Sequence, residues 1–345
     1  MRHSNRLIMS ALIAALCLGA FSTSVSSQEV IVFGSVDDVI EWLKAEDWWG
    51  EENRGEQLEV PHAMITGINP KWRETSQKLP VPEKKAIFYR LMLPLIVHAN
   101  DLVLKRRVAL IEVRDQLAAG DDISAEDLDA LRRGLVMLRV VDADAAPSIT
   151  AANKELPAMI EEALYKLDVI PNGLVLGQAA YESGYGTSRF AAEGNALFGQ
   201  WTFGGDGIVP GEQRKNLGDH RIAAFDWPFD SVRGYYINLM THPAYEEFRR
   251  LRAELRAAGK PLSSLVLADG LINYSERGQE YVDTLKGMIR VNHLDVADGA
   301  TFRDEPIRFL LGAKDGASVA EMQKEIERLR ESGELASIIA RMRLE

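Results

Sequence analysis

The sequence predicts a mainly α protein with a helical N-terminal region, a helical central domain and a small β-hairpin lobe, on three observations. Apolar residues recur at helical spacing behind start signals in several separate stretches, as buried faces of helices require. Glycines and aromatic residues crowd into 171–229, where the short apolar runs of 204–226 read as a hairpin. A composition of 46% hydrophobic and 26% charged residues over 345 positions is that of a chain that buries a core.

Residues 1–27 have the order of a secretory signal peptide: Arg2 and Arg6, an apolar run from Leu7 to Phe21, then small residues from Ser22 to Ser27. The run is shorter than the roughly 20 residues a bilayer span needs, so cleavage between Ala20 and Gln28 is expected, with no stable membrane span afterwards. A periplasmic or secreted destination follows. Cys17, the single cysteine, lies inside this run behind Leu16, where lipid-modifying enzymes need a small side chain. A mature chain therefore has neither a disulfide nor a cysteine nucleophile. The formal charge is −11, and a chain starting at Gln28 holds 38 basic against 51 acidic residues, or −13. Such a surface is a poor partner for nucleic acid.

Residues 28–79 carry Trp42, Trp48, Trp49 and Trp72 without a sustained period and read as an extended segment, its tryptophans serving as packing anchors. Residues 80–150 read as a helical region. Ile87, Leu91, Leu95 and Leu102 recur to about Leu117, with Pro94 as an expected kink. Ser124 and Asp127 open a second helix with Leu128, Leu131, Leu135 and Leu138 as its stripe. Residues 300–345 read as a helical tail, with Ser318 and Glu321 as a capping box and Gly333 as the stop.

The chemistry belongs to 151–299. His3, His62, His98, His220, His242 and His293 form no close pair, so no metal site is expected and no cofactor is implied. A nucleophile elbow and a phosphate-binding loop are also missing from the sequence. What remains is the run from Pro171 to Phe190. Pro171 suits a helix start, Leu174 to Ala180 an apolar body, and Gly184 a stop, which puts Glu182 in the last turn. A carboxylate there faces the negative end of the helix dipole, and Tyr181, Tyr185 and Phe190 offer apolar walls. Both effects raise proton affinity, as a glycosidase general acid requires. An exposed glutamate at a helix end satisfies the same local pattern.

The string Gln178-Ala-Ala-Tyr-Glu182-Ser-Gly-Tyr-Gly186-Thr-Ser-Arg-Phe190, followed by Glu193-Gly-Asn195-Ala-Leu-Phe198-Gly-Gln-Trp201, resembles the Bax-like branch of the bacterial glucosaminidase family, related to family 73 peptidoglycan glycosidases. The resemblance continues through Ser231-Val-Arg233, Asn238 to Tyr245, Tyr274 to Gly278 and Tyr281-Val282, and reaches back to 80–107. It implies a lysozyme-like helical domain that hydrolyses the peptidoglycan strand after N-acetylglucosamine. It places the catalytic acid on Glu182, a tyrosine near that acid on Tyr274, and a cleft floor on Asn195, Phe198 and Gly199. Tyr185, Gln200 and Trp201 become candidates for touching sugar.

A glycosidase also needs a second carboxylate or the substrate's own acetamide. Asp206, Glu212, Asp219 and Asp226 are available, and Asp219 is preferred. Relatives in this branch place a glutamate after the histidine matching His220, where this chain has Arg221, which leaves the second group open. Two other functions remain compatible: a lytic transglycosylase, which also works with one helix-end glutamate, and a module that binds wall glycan without cutting it. An amidase is disfavoured by the lack of metal ligands and of a mature cysteine.

Overall fold

The computed structural model describes residues 29–49, 58–202, 207–209 and 221–340, with backbone only for 201 and 202. The leader expected at 1–27 and Asp219 both lie outside the described residues. Within them the fold is mainly α, as expected, with a lysozyme-like helical domain and small sheets.

Its spine is α3 (Val81–Ala119), entered by Pro80 and Pro82 and ended by Gly120 at φ 75°, a left-handed conformation that glycine adopts without steric cost. The helix runs through Pro94 without a break in its assignment. It is the one described helix long and apolar enough to cross a bilayer, and 61% of its most apolar stretch is buried within the protein. Ile87, Met92, Leu95, Ile96 and Val103 are among the side chains it buries. Helix α4 (Ala125–Met137) starts as expected, with the Ser124 hydroxyl accepting from the Asp127 N–H at 3.0 Å. The C-terminal carbonyls of α5 (Leu156–Lys166) are met by two arginines. Arg107 donates to Leu164 O and to Leu167 O, and buried Arg252 donates to Tyr165 O and Lys166 O.

Helix α6 (Asn172–Ser183) is buried from Asn172 through Ala180, and α7 (Arg189–Gly194) follows it. The lobe after them is a three-stranded antiparallel sheet rather than a simple hairpin. Its strand β6 (Arg221–Ala223) lies between β4 (Trp201–Thr202) and β5 (Gly207–Ile208), so Ile222 faces both Trp201 and Ile208 in register. Helices α8 (Pro228–Thr241), α9 (Glu246–Ala257) and α11 (Gln279–Val291), with the short α10 (Ser264–Leu267), complete the domain.

The two ends of the chain depart from the sequence reading. Residues 29–75, expected as extended, contain β1 (Glu29–Phe33), the capped helix α1 (Val36–Ala45), β2 (Glu59–Val60), β3 (Ala63–Ile65) and the single turn α2 (Trp72–Thr75). Strand β8 (Arg308–Gly312) of the tail inserts between β1 and β3, parallel to both, while β2 pairs with β7 (Thr301–Phe302). Arg308 fastens this sheet through a bidentate pair with Glu46 at 2.6 and 2.7 Å and a bond to Glu305 at 2.8 Å. The tail helix α12 (Gly316–Glu331), followed by α13 (Glu334–Ala340), starts earlier than expected. Its cap is Asp315, which accepts from the Ser318 N–H at 3.0 Å, so Ser318 lies in the first turn.

Two glycines of α6 let other parts of the chain close on it, backbone at Gly173 and side chains at Gly177. A Cβ on Gly173 would stand 2.2 Å from Leu294 O, and one on Gly177 would meet Leu285 Cδ1 at 3.0 Å. Gly173→Ala is therefore expected to cost about 3 kcal/mol in urea unfolding, as overpacking against backbone does. By contrast Gly134→Ala, with nothing within 4 Å of the added carbon, is expected to gain about 0.5–1 kcal/mol.

Candidate active site

Helix α6 has no local N-terminal cap, because Pro171 has no side chain that accepts a hydrogen bond. Its first turn is held from elsewhere: Asp298 Oδ1 accepts from the Gly173 N–H at 3.0 Å, and Asn172 Nδ2 donates to Ala297 O at 2.8 Å. Asn100 of α3 donates to both Ile170 O and Asn172 Oδ1. At the other end Gly184, Tyr185 and Gly186 take φ of 59°, 60° and 75° in succession. The left-handed Tyr185 carries strain of order 1–2 kcal/mol that a glycine would not. Around it the loop is fastened: Ser183 Oγ accepts from the Gly186 N–H at 2.8 Å, and the Trp72 indole donates to Tyr185 O at 2.8 Å. Trp72 thus acts as an anchor, as does buried Trp48, whose indole donates to Arg90 O.

These constraints leave Glu182 half-buried in the last turn of α6. Burial pushes its carboxyl above the ordinary value of 4.5, and the Tyr281 hydroxyl, donating to Oε1 at 3.0 Å, pulls it back. Of the two effects expected from sequence, the helix dipole and burial against apolar walls, it is burial that raises the proton affinity here. The other oxygen, Oε2, lies toward exposed Gly199, where a Cβ would come within 3.8 Å of it. Gly199 at φ 60° thus supplies a sharp turn and an open approach to that oxygen.

The structure gathers most of the predicted residues around Glu182 but assigns them different contacts. Tyr274 stacks on Tyr281 with ring centres 5.5 Å apart, yet its hydroxyl donates to Phe198 O at 3.0 Å. The tyrosine bonded to the acid is Tyr281, which the sequence reading did not single out. Phe198, expected on the cleft floor, is 2% exposed and stacked on Tyr235 at 4.2 Å, so its ring offers almost no surface for binding sugar. Asn195 ties the lobe down instead of facing a cleft: Oδ1 accepts from the Ile68 N–H, and Nδ2 donates to Phe225 O and Asp226 O. Gln200 is likewise occupied, accepting from the Ser231 hydroxyl at 3.1 Å and donating to Ser231 O at 3.2 Å. Tyr185 is half-buried against Phe88 and Tyr89, with the Lys84 and Lys85 ammonium groups each 5.7 Å from its ring centre. Trp201 contributes a β4 backbone position, and its side chain lies outside the described residues.

Among the described residues no group of three metal-ligating side chains is assembled. The arrangement offers one carboxylic acid of raised proton affinity, with Oε1 held by the Tyr281 hydroxyl and Oε2 on the side of Gly199. Because the folded protein binds the Glu182 proton more tightly than the unfolded chain, ionising this group costs stability as pH rises above 4.5. Glu182→Gln, which can still accept from Tyr281, is therefore expected to raise the melting temperature at neutral pH. Thermal scans from pH 3.5 to 8 should show that gain vanishing at the acid end.

Comparison with known proteins bears on the same segment. Residues 157–294 match the glucosaminidase family model, described as mannosyl-glycoprotein endo-beta-N-acetylglucosaminidase. The chain is 36% identical to Protein bax of Escherichia coli (strain K12) over 135 residues, 39% of this chain and 47% of that protein. It thus spans about half the length of this curated relative. No solved structure matches the chain. The acid, the left-handed loop and Gly199 all lie inside the matched segment, so the site sits in the part of the chain, residues 157–294, that is similar to the glucosaminidase family, and the chain is also similar to Protein bax.

Proposed function

We propose that the protein is a peptidoglycan hydrolase, an endo-β-N-acetylglucosaminidase that cuts the wall glycan with Glu182 as its general acid. The observation that carries this reading is the half-buried Glu182, protonated more readily than a free glutamate and with Oε2 beside exposed Gly199, within the segment that matches the glucosaminidase family. In the first step the Oε2 proton passes to the glycosidic oxygen as the C1–O bond breaks. The developing positive charge at C1 is met by the acetamide oxygen of the same sugar or by a carboxylate such as Asp219. A water then attacks C1, giving its proton to the Glu182 carboxylate and restoring the acid.

The leader-like residues 1–27 support export, so a periplasmic or secreted enzyme working on wall glycan is the cellular setting we propose. No cofactor enters this mechanism. The fold supplies a positioned acid and excludes water from behind it, and both are properties of the chain itself.

The test is mass spectrometry of purified peptidoglycan digested by the mature protein and reduced with borohydride. Fragments ending in reduced N-acetylglucosamine are expected, with turnover about 10²–10⁴-fold lower in Glu182→Gln, the usual contribution of a general acid. Anhydro ends would replace this reading with a lytic transglycosylase. No fragments from either protein would replace it with a glycan-binding module.

A further inference from the structure

The polar groups behind Glu182 form a chain with a direction. Tyr235 of α8 is fully buried, and its hydroxyl donates to Gln178 Oε1. Gln178 of α6, also fully buried, then presents its amide nitrogen to Tyr281, donating from Nε2 to the hydroxyl oxygen at 2.9 Å. Tyr281 of α11 passes its own hydrogen to Glu182 Oε1 at 3.0 Å. A carboxamide accepts only on oxygen and donates only from nitrogen. Turning the Gln178 amide over would set its N–H groups against the Tyr235 hydroxyl. Tyr281 would then point at Gln178, and Glu182 would lose its donor. Each hydroxyl can donate or accept, so the direction is fixed at the end that only accepts: a Glu182 carboxylate takes the Tyr281 hydrogen, Tyr281 oxygen takes the Gln178 N–H, and Gln178 Oε1 takes the Tyr235 hydrogen.

We infer that Gln178 and Tyr235 are positioning residues that hold Tyr281 as a one-way donor to Oε1, confining the acid proton of Glu182 to Oε2 beside exposed Gly199. A proton on Oε1 would face the Tyr281 hydrogen, whereas one on Oε2 lies on the side of exposed Gly199. This inference deepens the reading of Glu182 as the acid and rests on it. It also gives Tyr281 two tasks: it keeps the proton on the outward oxygen, and after transfer it stabilises the carboxylate left behind. Among the described residues, the titratable groups facing Glu182 are Tyr235, Tyr245, Tyr274 and Tyr281, from α8, the turn before α9, the segment before α11, and α11 itself. Burial holds all four phenols above their ordinary range, so none ionises where Glu182 titrates.

The test is a pH titration of Glu182 by NMR with carboxyl-¹³C glutamate in the mature protein, the resonance being assigned by its loss in Glu182→Gln. Tyr281→Phe is expected to tighten proton binding at Glu182 about tenfold, the size of one lost bond to a charged group. Gln178→Met should tighten it about threefold while Tyr281 is present and leave it unchanged in the Tyr281→Phe background, since its effect runs through that hydroxyl. If Gln178→Met does not fold, Tyr235→Phe is the variant to read, with an expected change of about twofold in the same direction. An unchanged Glu182 titration in whichever of these folds overturns the inference, as does a Gln178→Met effect that persists without Tyr281. A merely structural role would lower the melting temperature and leave the titration in place. The readout needs no turnover, so failure to release sugar would sink the glycosidase reading while this result still stood or fell by itself.

Discussion

The structure depends on one constraint: helix α6 is buried along almost its whole length and still has to end at a carboxylate that reaches solvent. A helix in that position leaves N–H groups at its start that water does not reach, and an unmet buried donor costs about 1–3 kcal/mol. Asp298 meets that need at the Gly173 N–H, while the side chains of Asn100 and Asn172 tie the same turn to α3 and to Ala297 O. Gly173 and Gly177 leave room for α11 and the segment after it. With residues 285–294 packed on the first half of α6, the antiparallel course of α11 carries Tyr281 to its last turn. Close packing at one end of the helix therefore brings the donor to Glu182 at the other.

The same economy explains the ends of the chain. Strand β8, from the tail, is sandwiched between β1 and β3 from the first part of the chain, and Arg308 locks it to Glu46. Parallel neighbours need long connections, and here the connection between β3 and β8 contains the whole segment that matches the glucosaminidase family. The N-terminal part then touches the site directly, because Trp72 holds the carbonyl of left-handed Tyr185, three residues after Glu182. Strain in that loop is tolerated because partners on both sides over-determine it.

What was legible from sequence was local. Glu182 was found because its helix, its glycine stop and its aromatic neighbours lie within twenty consecutive residues, and the helix start at Ser124 was marked by its own cap. Tyr281 was not singled out because it is 99 residues from its partner, and nothing in a lone tyrosine at a helix start announces a hydrogen bond. Phe198 and Gln200 were misread because motif position says which residues lie near a site but not which way they point. β8 was missed since five residues, Arg308–Gly312, look alike as strand or loop until partners more than 240 positions away are known. At the tail, Asp315 and Ser318 both stand three residues before a plausible partner. The earlier cap adds a turn to the helix, and Ser318 still satisfies its hydroxyl on Asp315 at 2.7 Å.

The most direct test of Glu182 as a proton donor is its dispensability when the leaving group needs no proton. First-turnover release of 2,4-dinitrophenolate from a β-linked chito-oligosaccharide, compared between wild type and Glu182→Gln, measures that. A variant that is disabled on peptidoglycan but releases dinitrophenolate at close to the wild-type rate is the result expected of a general acid. A loss of equal size on both substrates would contradict the account and assign Glu182 to binding or structure instead.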